Sequence, residues 1–432
     1  MSLALPLLLF AVATVGLTFL VEPFVGWYFQ WAWWAYVLFA DALNHRLAGR
    51  SLLRSDPRRF AWLAAVSVVL WTLFEAVNLR LGNWYYVMDH PARAARWAGG
   101  VAAFATVLPG LFETEALLAN LGWRRRFDVP RLRRSRGLEV TCVALGLGGL
   151  VLPLVWPDAF FPLVWVGFAF LLEPWNRRHA SASFARELER GEAAPLVRWL
   201  LAGLVCGVLW ETWNHAARVK WIYTVPGFDS PRLFEMPVAG FLGFPPFAVG
   251  CVVAVRALEA AAERLRARAT RWWPALRLCA WSLATASTVA VFAAADSRTV
   301  DSFYAPVAEL GVLPPDARSA LAAAGLDSPE RLLRALSGEA AIVSWAARTG
   351  IPAPHLRTHR ERVALVMHRG LGQDRALELE RLGIHTRGDL ARWTPQGLAE
   401  ALRRSGARGP SRFLERRVRV WLEGLEPGSV DP

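Results

Sequence analysis

Apolar residues fill the first two thirds of this chain in long blocks separated by shorter, Arg-rich polar stretches. A helix needs about 20 apolar residues to cross the hydrocarbon of a bilayer. On that measure the blocks predict helical spans near residues 3–21, 29–45, 60–80, 98–120, 139–156, 160–176, 195–215, 236–258 and 275–295. Beyond residue 300 the pattern changes to short amphipathic segments punctuated by Gly and Pro. The expected fold class is all-α: a polytopic membrane helix bundle followed by a small soluble helical domain.

The blocks also repeat. Phe74-Glu75-Ala76-Val77-Asn78, followed by Trp84-Tyr85-Tyr86, reappears as Trp210-Glu211-Thr212-Trp213-Asn214, followed by Trp221-Ile222-Tyr223. The offset is 136 residues for the acids and 137 for the tryptophans, and Pro109 and Pro246 are also 137 apart. One span earlier, Asp41-x-x-Asn44 matches Glu173-x-x-Asn176 at an offset of 132. Residues 1–120 and 121–272 then form two four-span repeats, 273–296 a ninth span and 300–432 the soluble domain. An even number of spans brings both repeats into the bilayer with the same polarity, so the repeats are parallel. Pro109 and Pro245-Pro246 are expected to kink the fourth span of each.

Charge adds orientation. Loops 45–59, 121–138, 177–198 and 256–271 carry 22 basic residues, and the alternate loops 22–30, 79–97, 157–160 and 215–235 carry 6. That bias places the N-terminus in the cytoplasm of a bacterial-type plasma membrane, and a ninth crossing puts the soluble domain outside. Trp31, Trp33, Trp34, Trp84 and Trp221 read as an aromatic belt at the outer interface. The net charge of +13 suggests nucleic acid only superficially. Most of it flanks apolar spans, and one of the 49 basic residues, Lys220, is lysine. The four Cys fall in apolar runs without metal-type spacing and read as small core residues.

Candidate chemistry lies inside the membrane. A carboxylate in hydrocarbon costs several kcal/mol, which makes an intramembrane acid a functional hypothesis. Glu75, Glu211, Asp41 and Glu173 are the candidate catalytic residues. Each is three residues from an Asn on the same helix face, giving Asn44, Asn78, Asn176 and Asn214 as substrate-binding candidates. Trp84, Tyr86, Trp221 and Tyr223 follow the outer pair and are assigned to the same polar pocket, opening outward, with Asp41 near the bilayer midplane. His45 and His215 stand four residues after Asp41 and Glu211, but Leu79 and Arg177 break that pattern in the other two copies. No metal site and no cofactor is assigned.

The soluble domain contains its own repeat, at an offset of 58: Gly325-Leu326-Asp327-Ser328 parallels Gly383-Ile384-His385-Thr386. With Gly370-Leu371-Gly372 and Ala376, this stretch resembles the helix-hairpin-helix family, in tandem degenerate form. That resemblance implies a hairpin whose backbone amides meet a DNA phosphate, here at Gly370, Gly372 and Arg375, or a module that captures a protein partner.

Phe74-Glu75 and Trp210-Glu211 in a multi-span bundle resemble integral-membrane terpene cyclases of the lycopene-cyclase type. The resemblance implies acid catalysis on an apolar, lipid-like isoprenoid substrate. Two other readings stand beside it: a channel or transporter using the carboxylates for an ion or small solute, and a membrane-anchored scaffold whose tail binds DNA or a protein. The sequence does not fix the oligomeric state.

Overall fold

The computed structural model describes residues 3–87, 92–123, 126–227, 231–300, 305–406, 411–423 and 425. It divides into two compact units. The first comprises Met1–Leu81, Ala94–Arg218 and Ser230–Ser297; the second joins Gly82–Arg93, Val219–Asp229 and Arg298–Pro432.

Helices build the first unit: α1 (Ala4–Thr18), α2 (Tyr28–Ala48), α3 (Leu52–Ser55), α4 (Pro57–Leu81), α5 (Arg93–Phe104), α6 (Val107–Asn120) and α7 (Arg136–Val155). They continue with α8 (Pro157–Phe160), α9 (Val164–His179), α10 (Phe184–Arg190), α11 (Ala194–Ala216), α12 (Phe244–Arg268) and α13 (Trp273–Asp296). Seven of the described segments, 57–81, 93–120, 136–155, 157–179, 194–216, 238–268 and 273–296, are long and apolar enough to cross a membrane. The first block makes a helix of 15 residues, shorter than expected. α2 has 21 residues but carries Gln30, Asp41, Asn44 and His45, and falls outside that set.

Packing reproduces the duplication. α1 lies on α2 as α7 lies on α9; α2 meets α6 as α9 meets α12; α4 meets α6 as α11 meets α12. Pro109 and Pro245-Pro246 do not kink a continuous helix as expected. Pro109 lies in the first turn of α6, and Pro245-Pro246 in the first turn of α12 after a 3-10 turn at Val238–Gly243. A first-turn N–H has no partner within its own helix, so a residue lacking it is tolerated there. The true break in the fourth span falls between α5 and α6. Buried Ser67 bridges it, donating to Phe104 O (2.5 Å) and accepting from Leu108 N–H (3.0 Å). Those bonds satisfy backbone groups that hydrocarbon cannot.

The expected aromatic belt is also corrected. Trp33 is 1% exposed and packs among Phe29, Tyr36, Trp210 and Trp213, with its ring centroid 4.8 Å from that of Trp213. Trp is equally suited to an interface and to a dense core, and these rings fill the bundle interior.

In the second unit, β1 (Trp84–Val87) and β2 (Lys220–Tyr223) form an antiparallel ribbon. Trp84 pairs with Tyr223, Tyr86 with Trp221, and Tyr85 with Ile222. The two strands are the repeated loops themselves, and Tyr85 and Ile222 are equivalent positions, so this pairing is reciprocal and carries a local pseudo-twofold axis. A further short hairpin, β3 (Arg232–Leu233) with β4 (Met236–Pro237), precedes α12 in the first unit.

The remaining helices of the second unit are α14 (Pro315–Ala323), α15 (Pro329–Ala335), α16 (Glu339–Thr349), α17 (Ala353–Val366), α18 (Gly372–Glu380), α19 (Arg387–Leu390), α20 (Pro395–Arg404) and α21 (Ser411–Leu422). The expected 58-residue repeat is visible in its bonds. Leu326 N–H reaches Leu321 O and Ile384 N–H reaches Leu379 O, each at 3.0 Å, across Gly325 and Gly383 in left-handed conformations. Ser328 and Thr386 then cap α15 and α19.

Candidate functional site

The four intramembrane acids fall into two pairs at opposite helix ends, not into one outward pocket. Asp41 Oδ1 accepts the Leu53 N–H at 2.8 Å, and Arg54 Nε is 3.6 Å from Oδ2. Asp41 thus sits beside the connection that starts α4, away from the expected midplane. Glu75 is 18 residues beyond Pro57, roughly 27 Å further along α4. The second repeat copies the arrangement: Glu173 Oε1 accepts from Ser183 Oγ (2.7 Å) and Ala185 N–H (2.8 Å), just before α11, and Glu211 lies near the other end of that helix. Asp41 to Leu53 and Glu173 to Ala185 are both 12 residues. Each acid holds the chain where it turns back into the bundle.

Glu75 and Glu211 lie within the aromatic core. Trp71 Nε1 donates to Glu75 Oε1 at 3.0 Å, and the Trp71 ring centroid is 4.9 Å from that of Trp210. Phe74 stacks on Trp165 at 5.4 Å and meets Phe247 at 5.3 Å. Glu75, Glu211, Asn78 and Asn214 are all buried. Through Trp71 and Trp210 the third spans of the two repeats touch.

Sequence reasoning missed Glu113, which is 1% exposed on α6. Asn44 Nδ2 donates to its Oε2 at 2.7 Å and to its backbone O at 2.9 Å; Leu52 N–H reaches Oε1 at 3.2 Å. Glu113 is also in hydrogen-bond contact with Asp41, and Asn120 Nδ2 donates to Asn44 Oδ1 at 2.8 Å. The available signal was Phe112-Glu113-Thr114-Glu115, acids within an apolar block. That signal has no copy in the second repeat.

In the second repeat the same region is open. Asn176 Nδ2 donates to Val253 O at 2.8 Å, as Asn44 does to Glu113 O, but neither Val253 nor Gly250, the residue 137 positions after Glu113, carries a polar side chain. A cavity of about 430 Å³ borders Glu173. Its walls are Leu138 and Cys142 of α7, Val166 and Phe170 of α9, Leu200 of α11, and Val249 and Val253 of α12. The charged lining residues are Glu173 and a rim of Arg134, Glu139, Arg177 and Glu189, in which Arg177 bonds Glu189 (2.6 Å) and Glu139 (3.4 Å). The α7–α9 wall depends on glycine: a Cβ on Gly146 would lie 2.4 Å from Leu171 N, and one on Gly149 would lie 3.0 Å from Gly167 Cα. Such close backbone approach is how helices pack tightly in lipid.

The aromatic candidates lie elsewhere. Trp84, Tyr86, Trp221 and Tyr223 occupy one face of the ribbon in the second unit. The opposite face carries Tyr85, Val87 and Ile222, which pack with Val420. The tail hairpin meets that face: a Cβ on Gly370 would lie 2.4 Å from Ile222 Cδ1 and 2.8 Å from Tyr85 Oη. Tyr85 Oη donates to Arg369 O (3.2 Å) and Gly370 O (3.4 Å).

Gly370 and Gly372 are buried, and Arg375 bonds Glu378. The Arg-rich segment is engaged as well. Arg416 reaches Gly82 O, and Arg417 donates to Arg298 O at 2.8 Å with its guanidinium 4.1 Å over the Tyr85 ring. Burial lowers the Arg417 guanidinium from the ordinary arginine range, and Tyr85 offsets part of this. The hairpin expected to meet a DNA phosphate meets this protein's own ribbon. Among the described residues no group of three or more His, Cys, Asp or Glu is placed to hold a metal ion.

Residues 313–423 match the model of a family described as a domain of unknown function (DUF4332), which covers the tail alone. Neither a helix-hairpin-helix family nor a cyclase family is identified. Comparison with curated proteins and with solved structures gave no match.

Proposed function

We propose that this chain is an integral-membrane protein that binds an apolar, lipid-like molecule in the cavity of its second repeat, with Glu173 as the polar anchor. The observation that carries this reading is the cavity of about 430 Å³ with apolar walls and one carboxyl in them. Binding sites of this kind are mostly apolar, with few polar groups fixing orientation. If the bound molecule is converted by proton transfer, Glu173 is the carboxylate placed to take the proton. An ion path is less favoured, because the four acids are divided between two ends of the bundle. DNA capture is less favoured because the tail hairpin is covered by the ribbon.

The test is photolabelling of the protein in nanodiscs with a lipid bearing a diazirine on its chain. Label is expected on peptides of α7, α9 and α12, and Val249→Phe, which narrows the cavity, is expected to remove it. Even labelling of all lipid-facing helices, unchanged in Val249→Phe, would sink the proposal.

The topology reading belongs with it. The tail shares its compact unit with the loops that follow α4 and α11, which are the Arg-poor loops, and this supports a tail outside the cytoplasm. Alkaline phosphatase fused after residue 432 is expected to be active, and a fluorescent cytoplasmic fusion would overturn the assignment.

A further inference from the structure

The two halves of the duplication, compared bond by bond, indicate what head group the cavity takes; this step rests on the binding reading above. In the first half the polar side chains satisfy one another. Asp41 accepts from Leu53 N–H, Asn44 Oδ1 accepts from Asn120, and Glu113 closes the cluster between them. In the second half Val253 supplies the carbonyl that Glu113 supplies in the first, and the residue 137 positions after Asn120 is Ala257. Neither side chain can donate or accept. Among the described residues, Glu173 Oε2 and Asn176 Oδ1 are buried without a hydrogen-bond partner. They lie three residues apart on one face of α9, and Asn176 is 0% exposed. Both atoms are acceptors, and a buried acceptor left unpaired costs about 1–3 kcal/mol. Among the same described residues Arg256 Nη1 is a buried donor likewise without a partner, but it does not bond Glu173 Oε2, so that oxygen still lacks a donor.

We propose that the cavity takes an apolar molecule ending in a neutral hydroxyl, a long-chain or isoprenoid alcohol, whose O–H donates to Glu173 Oε2. The apolar walls hold the chain, and the second oxygen of Glu173 holds the head group. Its first oxygen is already fixed by Ser183 and Ala185, so the carboxyl is oriented before the ligand arrives. An anionic phosphate head would face Glu173 itself, and both rim bases already have carboxylate partners, Arg177 with Glu189 and Glu139 and Arg134 with Glu139 at 3.7 Å. A metal cation would meet the charge of Arg256, whose guanidinium lies 4.4 Å over the wall residue Phe184 and acts on Glu173.

Three probes that differ only in head group test this: farnesol, farnesyl phosphate and the hydrocarbon farnesene, titrated into the full chain in nanodiscs and followed by native mass spectrometry. Farnesol is expected to bind about tenfold more tightly than either of the others, the increment of one hydrogen bond to a charged acceptor. In Glu173→Gln the amide oxygen can keep the Ser183 and Ala185 bonds while its NH₂ replaces the acceptor. That variant can only donate to the hydroxyl oxygen, a weaker neutral bond, so it is expected to reduce the preference for alcohol severalfold and keep its affinity for farnesene. Equal binding of farnesol and farnesene, a preference undiminished in Glu173→Gln, or tighter binding of farnesyl phosphate would overturn the hydroxyl assignment. So would a sodium-dependent rise in the unfolding temperature that Glu173→Gln removes. If no probe binds, or if Val249→Phe leaves the binding of all three unchanged, the cavity reading itself fails.

Discussion

Gly146→Leu is expected to force α7 and α9 apart and to destabilise the first unit by about 3 kcal/mol or more. Even the first carbon of a side chain at this position would lie 2.4 Å from Leu171 N and 2.5 Å from Leu171 Cα. Those are backbone atoms, so a rotamer change cannot relieve the overlap and a whole helix must move. α7 and α9 also supply two walls of the cavity, so binding should be lost together with stability. Gly148→Ala is the control, because a Cβ there meets nothing closer than Leu152 Cδ1 at 3.8 Å. Thermal unfolding in detergent should show a large drop for Gly146→Leu and almost none for Gly148→Ala. Equal midpoints for the two would mean that the close helix contact contributes nothing.

What the sequence revealed about this fold came from periodicity and repetition. Long apolar blocks gave the helices, because hydrocarbon permits little else. Offsets of 132 and 136–137 residues reappear as equivalent bonds, Asp41 with Leu53 and Glu173 with Ala185, and as the reciprocal pairing of Tyr85 with Ile222. Repetition failed where the copies diverge. Glu113 has no counterpart in the second repeat, and that same difference leaves the cavity open beside Glu173.

Spacing also put all four acids on helix faces without showing which end of each helix meets which loop. The connections at 49–56 and 180–193 fold back to meet Asp41 and Glu173, and no local pattern records this. Trp33 and Trp210 were indistinguishable from interfacial residues by hydropathy alone. The hairpin glycines were legible as a turn by resemblance, yet their partner lies far away: Tyr85 is 285 residues from Gly370.

That distant contact yields the second large effect. Gly370→Ala is expected to destabilise the second unit by about 2–5 kcal/mol, from two separate causes. Gly370 has a φ of 71°, a conformation that costs an L-residue about 1–2 kcal/mol. Its new Cβ would also lie 2.4 Å from Ile222 Cδ1, 2.8 Å from Tyr85 Oη and 3.0 Å from Val87 Cγ2, and overpacking adds about 1–3 kcal/mol. Gly383→Ala separates the two causes. Gly383 has a φ of 76° in the equivalent fold of the repeat, but nothing lies within 4 Å of its Cβ position. It should carry the backbone cost alone. Hydrogen exchange of peptides covering Trp84–Val87 and Lys220–Tyr223 reads the difference directly. Gly370→Ala should speed exchange in both strands, since loss of the hairpin uncovers the face of Tyr85 and Ile222, while Gly383→Ala leaves the ribbon protected. Equal exchange in the two variants would mean that the hairpin and the ribbon are independent, and that the glycine is needed only for its turn.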